Sequence, residues 1–277
     1  IQESLDAFDR NPENLQHIHA CRTHIHQLND LFEMLELNDI LIVTGKAEQL
    51  IIALTEQRVN PDQTTINTIR QSIKMTLDCL DERIDGAGYD LLRLFSAYRD
   101  LMLLLGHAQI SLYDLFHPAL IADPPLKPAF THLTSQQHET LVKQARTEYQ
   151  SGLVQWLKTT VNQDGLDKMQ RAIAQMEKLP GPTAQRIFWW IAGGFLGSLT
   201  TQQQNTDPLN RKLCGKIEKT LRQFVEELPP GTAQLTRELL YQIARRPETN
   251  AVNQQITDIH KAYALPSSMP FDESNLA

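Results

Sequence analysis

The chain has 277 residues, enough for two domains of ordinary size, and 41% of them are apolar, as in a globular protein. Its net charge of −7 and the lack of any Lys/Arg run longer than two exclude the basic surface that a nucleic-acid partner requires. The three cysteines are far apart and never in a CxxC pair, which excludes a disulfide framework and suits a reducing compartment. We therefore predict a cytoplasmic protein.

Apolar residues recur three and four positions apart along almost the whole chain, and the alternation of a β-strand is absent, so we predict an all-α protein. The chain begins at Ile1 and has no signal peptide, so we expect a piece of a longer protein with a truncated first helix. Three Asn-Pro or Asp-Pro pairs predict helix starts, at residues 11–12, 60–61 and 207–208. The helices predicted in the first half span residues 2–9, 12–36, 39–58, 61–84 and 88–106.

The helical pattern breaks between residues 108 and 134, where a short amphipathic piece, ISLYDLF, precedes a proline-rich stretch. The helices predicted after this break span residues 135–160, 163–179, 183–200, 208–228, 232–246 and 249–263. We therefore expect two tandem antiparallel helical bundles. Their predicted bounds are a first bundle over 1–117, a proline-rich linker over 118–134, a second bundle over 135–265 and a flexible tail over 266–277.

The apolar run IFWWIAGGFL, residues 187–196, is about half as long as the ~20 residues that a membrane span needs. We predict a buried helix there and no membrane insertion, with Gly193 and Gly194 allowing a neighbouring helix to approach closely. The three tryptophans lie in apolar helical surroundings and are predicted to anchor the core: Trp156, Trp189 and Trp190.

No motif of a nucleotide-binding or hydrolytic enzyme occurs in the sequence. Thr44-Gly45-Lys46 ends like a P-loop but lacks the first glycine of that motif and a preceding strand. Protease, esterase and kinase signatures are also missing. We predict no cofactor, and no catalytic activity of this chain by itself.

The most unusual stretch is HIHACRTHIH, residues 17–26, which holds four of the nine histidines and one cysteine. On a helix, the apolar side chains of this region form one stripe, the predicted core face: Leu15, Ile18, Cys21, Ile25, Leu28, Phe32 and Leu35. A second set is predicted to face away from that stripe: His19, Arg22, His26, Asn29, Asp30 and Glu33. His17 and His24 lie at the flanks.

A metal site would need several of these donors around one ion. Helical spacing offers only pairs such as His17 and Cys21, and Cys21 belongs to the apolar stripe. Histidines seven residues apart are separated by ~10 Å along the helix axis, too far to share an ion. We therefore predict no metal site.

The residues from His26 to Leu37 resemble the HxxKGxxxxLG helix of histidine phosphotransfer domains, which are four-helix bundles. The resemblance implies that His26 is the candidate phosphoacceptor, on the open face of the first bundle. The family's assisting lysine and its glycine fall at Asn29 and Asp30. Asn29 supplies no positive charge to a phosphoryl group of about −2, and Asp30 adds a repelling carboxylate, so the pattern indicates a degenerate phosphotransfer domain.

Segments from both halves of the chain extend this resemblance. Together they are similar to the N-terminal region of the chemotaxis-type hybrid histidine kinases of type IV pilus twitching motility, the ChpA/PilL family, and to their kinase-less relatives, the FimL family. The segments are IQESLDAFDRNPENL, THIHQLNDLFEMLEL, EQLIIAL, DLLRLFSAYRDLMLLLG, ISLYDLFHPAL, RIFWWIAGGFLGSL, KLCGKIEKTLRQFVEEL, LTRELLYQIARRPE and ITDIHKAYALP.

The resemblance implies a signalling module at the start of a histidine protein kinase, and the retention of His26 favours the kinase over the kinase-less relative. Its expected partners are response-regulator receiver domains or other pilus-signalling proteins, and recruitment to the cell pole is expected. The second bundle has no histidine in a comparable place and is predicted to be a scaffold. Acidic clusters on two helices are usually solvated surface but could dock a basic partner: Asp81, Glu82 and Asp85 on one, and Glu218, Glu226 and Glu227 on the other.

Three hypotheses remain open from the sequence. The first is a docking module that organises partners without catalysis. The second is a working phosphorelay intermediate in which His26 accepts a phosphoryl group. The third is a purely structural helical protein unrelated to signalling.

Overall fold

The architecture is taken from a computed structural model of the chain, which describes residues 1–85, 91–158, 163–199, 207–226, 231–246 and 254–266. Within these ranges the protein is all-helical and has no strand, which confirms the predicted fold class. The α-helices are α1 Gln2–Arg10, α2 Leu15–Met34, α3 Asn38–Thr55, α4 Gln63–Ile84, α5 Leu91–Leu104, α6 Ser135–Lys158, α7 Gln163–Glu177, α8 Thr183–Ser198, α9 Pro208–Val225, α10 Ala233–Ala244 and α11 Gln254–Ala262.

All three helices begin within three residues of their predicted starts, but only one of the three predicted capping residues is confirmed. Asp207 caps α9 by accepting a hydrogen bond from the backbone N–H of Leu209, with proline at the first helical position. In contrast, Asn11 ends α1, because its own N–H bonds back to carbonyls of that helix, and Asn14 caps α2. Asp62 caps α4, two residues after the predicted cap, because its carboxylate reaches the N–H of Thr65.

The first compact unit of the described chain covers residues 1–117 and contains α1 to α5. Helix α3 lies at its centre and packs against α2, α4 and α5, while α1 packs against α2 and α4. The central position of α3 explains its long buried apolar face, which includes Ile40, Val43, Ala47, Leu50 and Leu54. The predicted amphipathic piece after α5 is a short 3₁₀ turn, Leu112–Leu115, capped by Ser111 and Asp114.

The second compact unit begins at Pro118 and contains α6 to α11. Helix α8 packs against α7, α10 and α11, and α6 packs against α7 and α9. The apolar run of residues 187–196 lies in α8, as predicted. No helix in the described part of the chain is both long and apolar enough to cross a membrane.

Close helix packing and buried tryptophans build the core of the second unit. A Cβ atom on Gly194 would lie 2.2 Å from Cδ1 of Ile259 on α11, which confirms the predicted close approach at this glycine pair. The tryptophans are at most 2% exposed, which confirms them as core residues. At the interface of α6 and α7, a Cβ on Gly152 would lie 2.5 Å from the carbonyl oxygen of Gly165, so these two backbones also nearly touch.

The proline-rich strap, residues 118–134, lies along the second unit. The backbone N–H of Ile121 donates to the carbonyl of Ala262, and that of Phe130 donates to the carbonyl of Lys178. Between these two points, the buried carboxylate of Glu177 accepts the backbone N–H of Lys127 at 3.0 Å and pairs with its Nζ at 3.2 Å. Glu177 therefore ties the middle of the strap to the end of α7.

Candidate functional site

His26 lies on the exposed side of α2, and 65% of its side chain is open to solvent. Its Nδ1 atom is 3.2 Å from Oε1 of Glu48, which projects from the neighbouring helix α3 and is 15% exposed. This exposure agrees with the prediction that His26 lies on the open face of the first bundle. The contact with Glu48 was not anticipated.

The helical projection predicted that Asn29 lies on the open face with His26, but the structure places it elsewhere. It is buried between α2 and α3, with 8% exposed. Its Nδ2 donates to Oε2 of Glu48 at 2.8 Å, and its Oδ1 accepts from Oγ1 of Thr44 at 2.6 Å. The prediction was wrong because α3 packs against the flank of α2 that carries Asn29. This residue therefore orients Glu48 and does not face an approaching partner.

Arg22 is the cationic side chain beside His26. It lies one helical turn before His26, on the same side of α2, and its Nε is 4.0 Å from Oε1 of Glu48. Asp30, one turn after His26, is exposed and forms no ion pair within the described residues. The exposed surface around His26 therefore carries one cation and one unpaired carboxylate.

These contacts define what the His26 ring can do. A carboxylate at Nδ1 favours the tautomer in which Nδ1 carries the proton and donates it to Glu48. Nε2 then keeps its lone pair and is the nitrogen available to an electrophile. Because Glu48 is itself held by Asn29, the ring has a defined orientation on an otherwise open surface.

The other members of the histidine stretch are not brought together. His19 and His24 are exposed, His17 is half-buried, and Cys21 is fully buried in the core face, as predicted. Burial raises the pKa of the Cys21 thiol to about 11, which disfavours the thiolate that a metal would need. Among the residues that the structure describes, no group of three or more His, Cys, Asp or Glu side chains could hold a metal ion.

The predicted core stripe of α2 also differs at its two ends. Leu15 is 42% exposed and Leu35 is 58% exposed, although both were predicted to be in the core. Both residues lie at the ends of α2, since Leu15 is its first residue and Leu35 is its C-cap.

Sequence reasoning missed Glu48, Thr44 and the role of Arg22. Thr44 and Glu48 lie four residues apart and therefore share one side of α3, next to a long apolar face. Two polar side chains one helical turn apart, beside that apolar face, were the available signal. The sequence could not show that this side of α3 meets the flank of α2 carrying His26.

The two acidic clusters are only partly solvated. Glu218 accepts hydrogen bonds from Arg146 and Gln150 of α6, and Glu82 pairs with Arg93 of α5. Glu227 lies outside the described residues. Asp81 and Asp85 remain exposed, without an ion pair in the described part of the first unit.

Comparison with protein families gives one match. The family model described as the second domain of the FimL scaffold protein matches residues 134–276, just over half of the chain. Comparisons with curated proteins and with solved structures find no match. The matched region contains α6 to α11 and excludes His26.

Proposed function

This chain belongs to the FimL scaffold protein family, and from that premise we propose that it is a protein–protein docking module in signalling to type IV pili. The observation that carries the proposal is the family match itself, which covers all helices of the second unit. Partners are then bound by exposed surfaces of the helical bundles. Response-regulator receiver domains and other pilus-signalling proteins are the proposed partners.

In this proposal the first unit is a degenerate phosphotransfer bundle. Two features support degeneracy. Asn29, at the position of the family's lysine, is committed to an internal hydrogen-bond network and offers no charge to a phosphoryl group. Asp30 places an unpaired carboxylate one turn from His26, where it would repel a phosphoryl group carrying about two negative charges.

One observation favours the second candidate function, phosphorylation of His26. Glu48 lies at Nδ1 and leaves Nε2 as the nucleophilic nitrogen, and Arg22 supplies a cation near the site. In the transfer, Nε2 attacks the phosphorus atom of a phospho-aspartate, the acyl phosphate P–O bond breaks, and the aspartate carboxylate leaves. Glu48 stabilises the positive charge that the ring gains.

The family match favours the kinase-less relative over the histidine kinase as the parent of this chain, since the model is that of a scaffold. A cytoplasmic location and recruitment to the cell pole belong to the same proposal. Fluorescent fusions would test the location, because a scaffold of a polar machine gives polar foci whereas an unrelated structural protein gives diffuse signal.

A labelling experiment separates docking from phosphorelay. The chain is incubated with a ³²P-phosphorylated receiver domain, or with an active histidine kinase core and ATP, and acid-labile, base-stable label is followed in the wild type and in His26→Gln. Label that disappears in His26→Gln establishes the relay. Docking without relay predicts no label under conditions that label an authentic phosphotransfer domain.

Binding of the same receiver is measured in parallel by calorimetry. The docking proposal expects equal binding of the wild type and His26→Gln. If neither the receiver nor any other pilus-signalling protein binds the chain, the docking proposal is rejected.

A further inference from the structure

Helix α9 carries a row of basic side chains on the side that faces solvent. Its apolar residues Leu213, Cys214 and Ile217 are at most 1% exposed and form the core side. The helix packs against α6 and α10, and it is neither the first nor the last helix of its unit. The residues opposite the core side are exposed, and we call them the basic face of α9: Arg211, Lys212, Gly215, Lys219 and Arg222.

Most cations of the basic face have no acidic partner. Arg211, Lys212 and Lys219 form no ion pair within the described residues. In contrast, Lys216, on the flank of the same helix, pairs with Glu238 of α10. Charges that the bundle uses to join its own helices are therefore paired, whereas those of the basic face remain available to a ligand.

The arrangement of these charges does not favour α9 itself. Arg211 and Lys212 lie near the N-terminus of the helix, where the helix dipole disfavours cations. Lys219 and Arg222 are three residues apart, a spacing at which like charges repel. Arg222 is 3.9 Å from Glu226, but both side chains are half exposed, so this pair offsets little. The basic face is therefore not explained by the stability of the helix.

A glycine lies in the middle of the basic face. Gly215 is inside α9, where glycine is less favourable than alanine because it loses more backbone entropy. A Cβ at this position would meet nothing within 4 Å, so no neighbour in the described chain requires glycine here. Gly152 differs, because its Cβ would overlap the backbone of α7. Gly215 leaves bare backbone between Lys212 and Lys219, where a partner can approach closely.

We propose that the basic face of α9 docks an acidic helix of a partner protein, whose carboxylates pair with the cations and whose small residue lies over Gly215. Carboxylates complement a face that the described chain leaves without acidic partners. The occupant is a helix because four residues of the face follow the spacing 3, 4, 3, along which two helices pack side by side. These residues are Lys212, Gly215, Lys219 and Arg222.

Two other anionic ligands fit the basic face less well. A lipid surface binds helices that insert apolar side chains beside their cations, and the basic face has none. A nucleic acid binds proteins with a positive field, whereas this chain has a net charge of −7. A protein carboxylate needs only the local match of charge that the face provides.

This inference rests on the proposed docking function and assigns it a surface and a partner chemistry. It is tested on the full chain with three synthetic helical peptides of about 15 residues, a length that spans the face. The first carries Glu at helical spacing along one side, with Ala at the centre of that side. The second has Lys in place of Glu. The third has the composition of the first, with Glu distributed around the helix.

Peptide affinity is measured by fluorescence anisotropy at low and moderate salt. We expect the first peptide to bind about tenfold more tightly than either control peptide, and added salt to weaken it. The double substitution Lys212→Glu with Lys219→Glu should reduce its affinity by about tenfold, because two attractive charges become repulsive. Both side chains are exposed, so the fold should persist, as circular dichroism would show. Equal binding to the wild type and to this double variant would overturn the proposal.

A matched variant controls for net charge. Lys158→Glu with Lys261→Glu makes the same change in net charge at two exposed lysines of the second unit outside the basic face. This variant should leave the affinity of the first peptide unchanged. If it weakens the peptide as much as the Lys212/Lys219 double variant does, the peptide responds to net charge alone and the proposal is overturned.

A neutral variant tests the close approach at the glycine. Gly215→Gln adds a side chain without changing the charge, and it should weaken the first peptide severalfold at both salt concentrations. Urea unfolding should show a fold at least as stable as the wild type, because glutamine favours a helix more than glycine does. An unchanged affinity would overturn the packing of a helix over Gly215.

The alternative ligands are tested with the same double variant. Binding of phosphatidylglycerol vesicles or of a short DNA duplex that disappears in the Lys212/Lys219 double variant, while the peptides fail, would overturn the partner assignment. Self-association in sedimentation velocity that disappears in this variant would assign the face to a second copy and overturn it as well. If the peptides fail but a receiver domain still binds the chain, only the basic face is wrong. If peptides and receivers all fail, the docking function falls with it.

Discussion

Glu48 Oε1 lies 3.2 Å from His26 Nδ1, so a partly buried carboxylate of α3 orients an exposed ring of α2. Loss of the carboxylate charge in Glu48→Gln should therefore weaken the preference for the Nδ1-protonated tautomer of neutral His26. Because His26 is largely exposed, the expected effect is about 0.5–1 kcal/mol, a severalfold change in the tautomer ratio. Long-range ¹H–¹⁵N correlation spectra at pH 8 report this ratio. The exposed His19 ring is the internal control, and an unchanged His26 spectrum would contradict the assignment.

Asn29 is expected to matter for stability although it lies in the histidine stretch. Asn29→Ala leaves Thr44 and Glu48 without their shared partner in a buried interface, which should lower the free energy of unfolding by roughly 1–3 kcal/mol. Asp30 is the next residue along the chain and is exposed, so Asp30→Ala should change the free energy of unfolding by less than about 0.5 kcal/mol. Urea denaturation of the two variants measures the difference. Equal effects would show that the Asn29 network contributes nothing specific.

The sequence predicts helices well and helix neighbours poorly. Periodicity in α2 correctly assigned Ile18, Cys21 and Phe32 to the core, because a helix that packs against a core carries its own apolar stripe. The same projection misplaced Asn29, because a helical wheel shows the sides of one helix and not which flank its neighbour covers.

The candidate site was predictable only in its central residue. The resemblance to phosphotransfer helices pointed to His26, which is exposed as expected. Glu48 is twenty-two residues away in sequence and belongs to a different helix. Its contact with His26 depends on the rotation of α3 about its axis, which no local pattern in α2 encodes.

Glycine at the α6–α7 interface should be irreplaceable even by alanine. A Cβ on Gly152 would lie 2.5 Å from the Gly165 carbonyl oxygen, a backbone atom that cannot move without separating the helices. Gly152→Ala is expected to lower the free energy of unfolding by roughly 1–3 kcal/mol. Gly215→Ala is the matched control on α9, because a Cβ at that position meets nothing within 4 Å. This substitution should raise the free energy of unfolding by about 0.5–1 kcal/mol. Thermal or urea unfolding measures the change in the free energy of unfolding for both variants. Changes of opposite sign would confirm the close contact, and changes of the same sign would exclude it.

Stability should fall at alkaline pH because of a buried thiol. Burial raises the pKa of Cys214 from its ordinary value of 9.0 to about 12. Between these values the unfolded chain loses the proton and the folded chain keeps it, so stability is unaffected below pH 9 and decreases as pH rises. Cys214 alone should contribute a loss of about 1 kcal/mol per pH unit. Cys214→Ala should reduce this slope in urea unfolding between pH 8 and 10.5, and an unchanged slope would assign the pH dependence to other groups.

The strap over residues 118–134 should be released by changing Glu177. This carboxylate is 2% exposed and holds both the backbone N–H and the Nζ of Lys127. Glu177→Ala removes both contacts, so limited proteolysis within the strap should accelerate by about tenfold, as expected for a loss of about 1.4 kcal/mol in local stability. Glu177→Gln retains an acceptor for the N–H and should have a smaller effect. Glu139→Ala, which removes an exposed pair with Lys143 on α6, should leave the cleavage rate unchanged. Cleavage of the strap at equal rates in all three variants would show that Glu177 does not hold it.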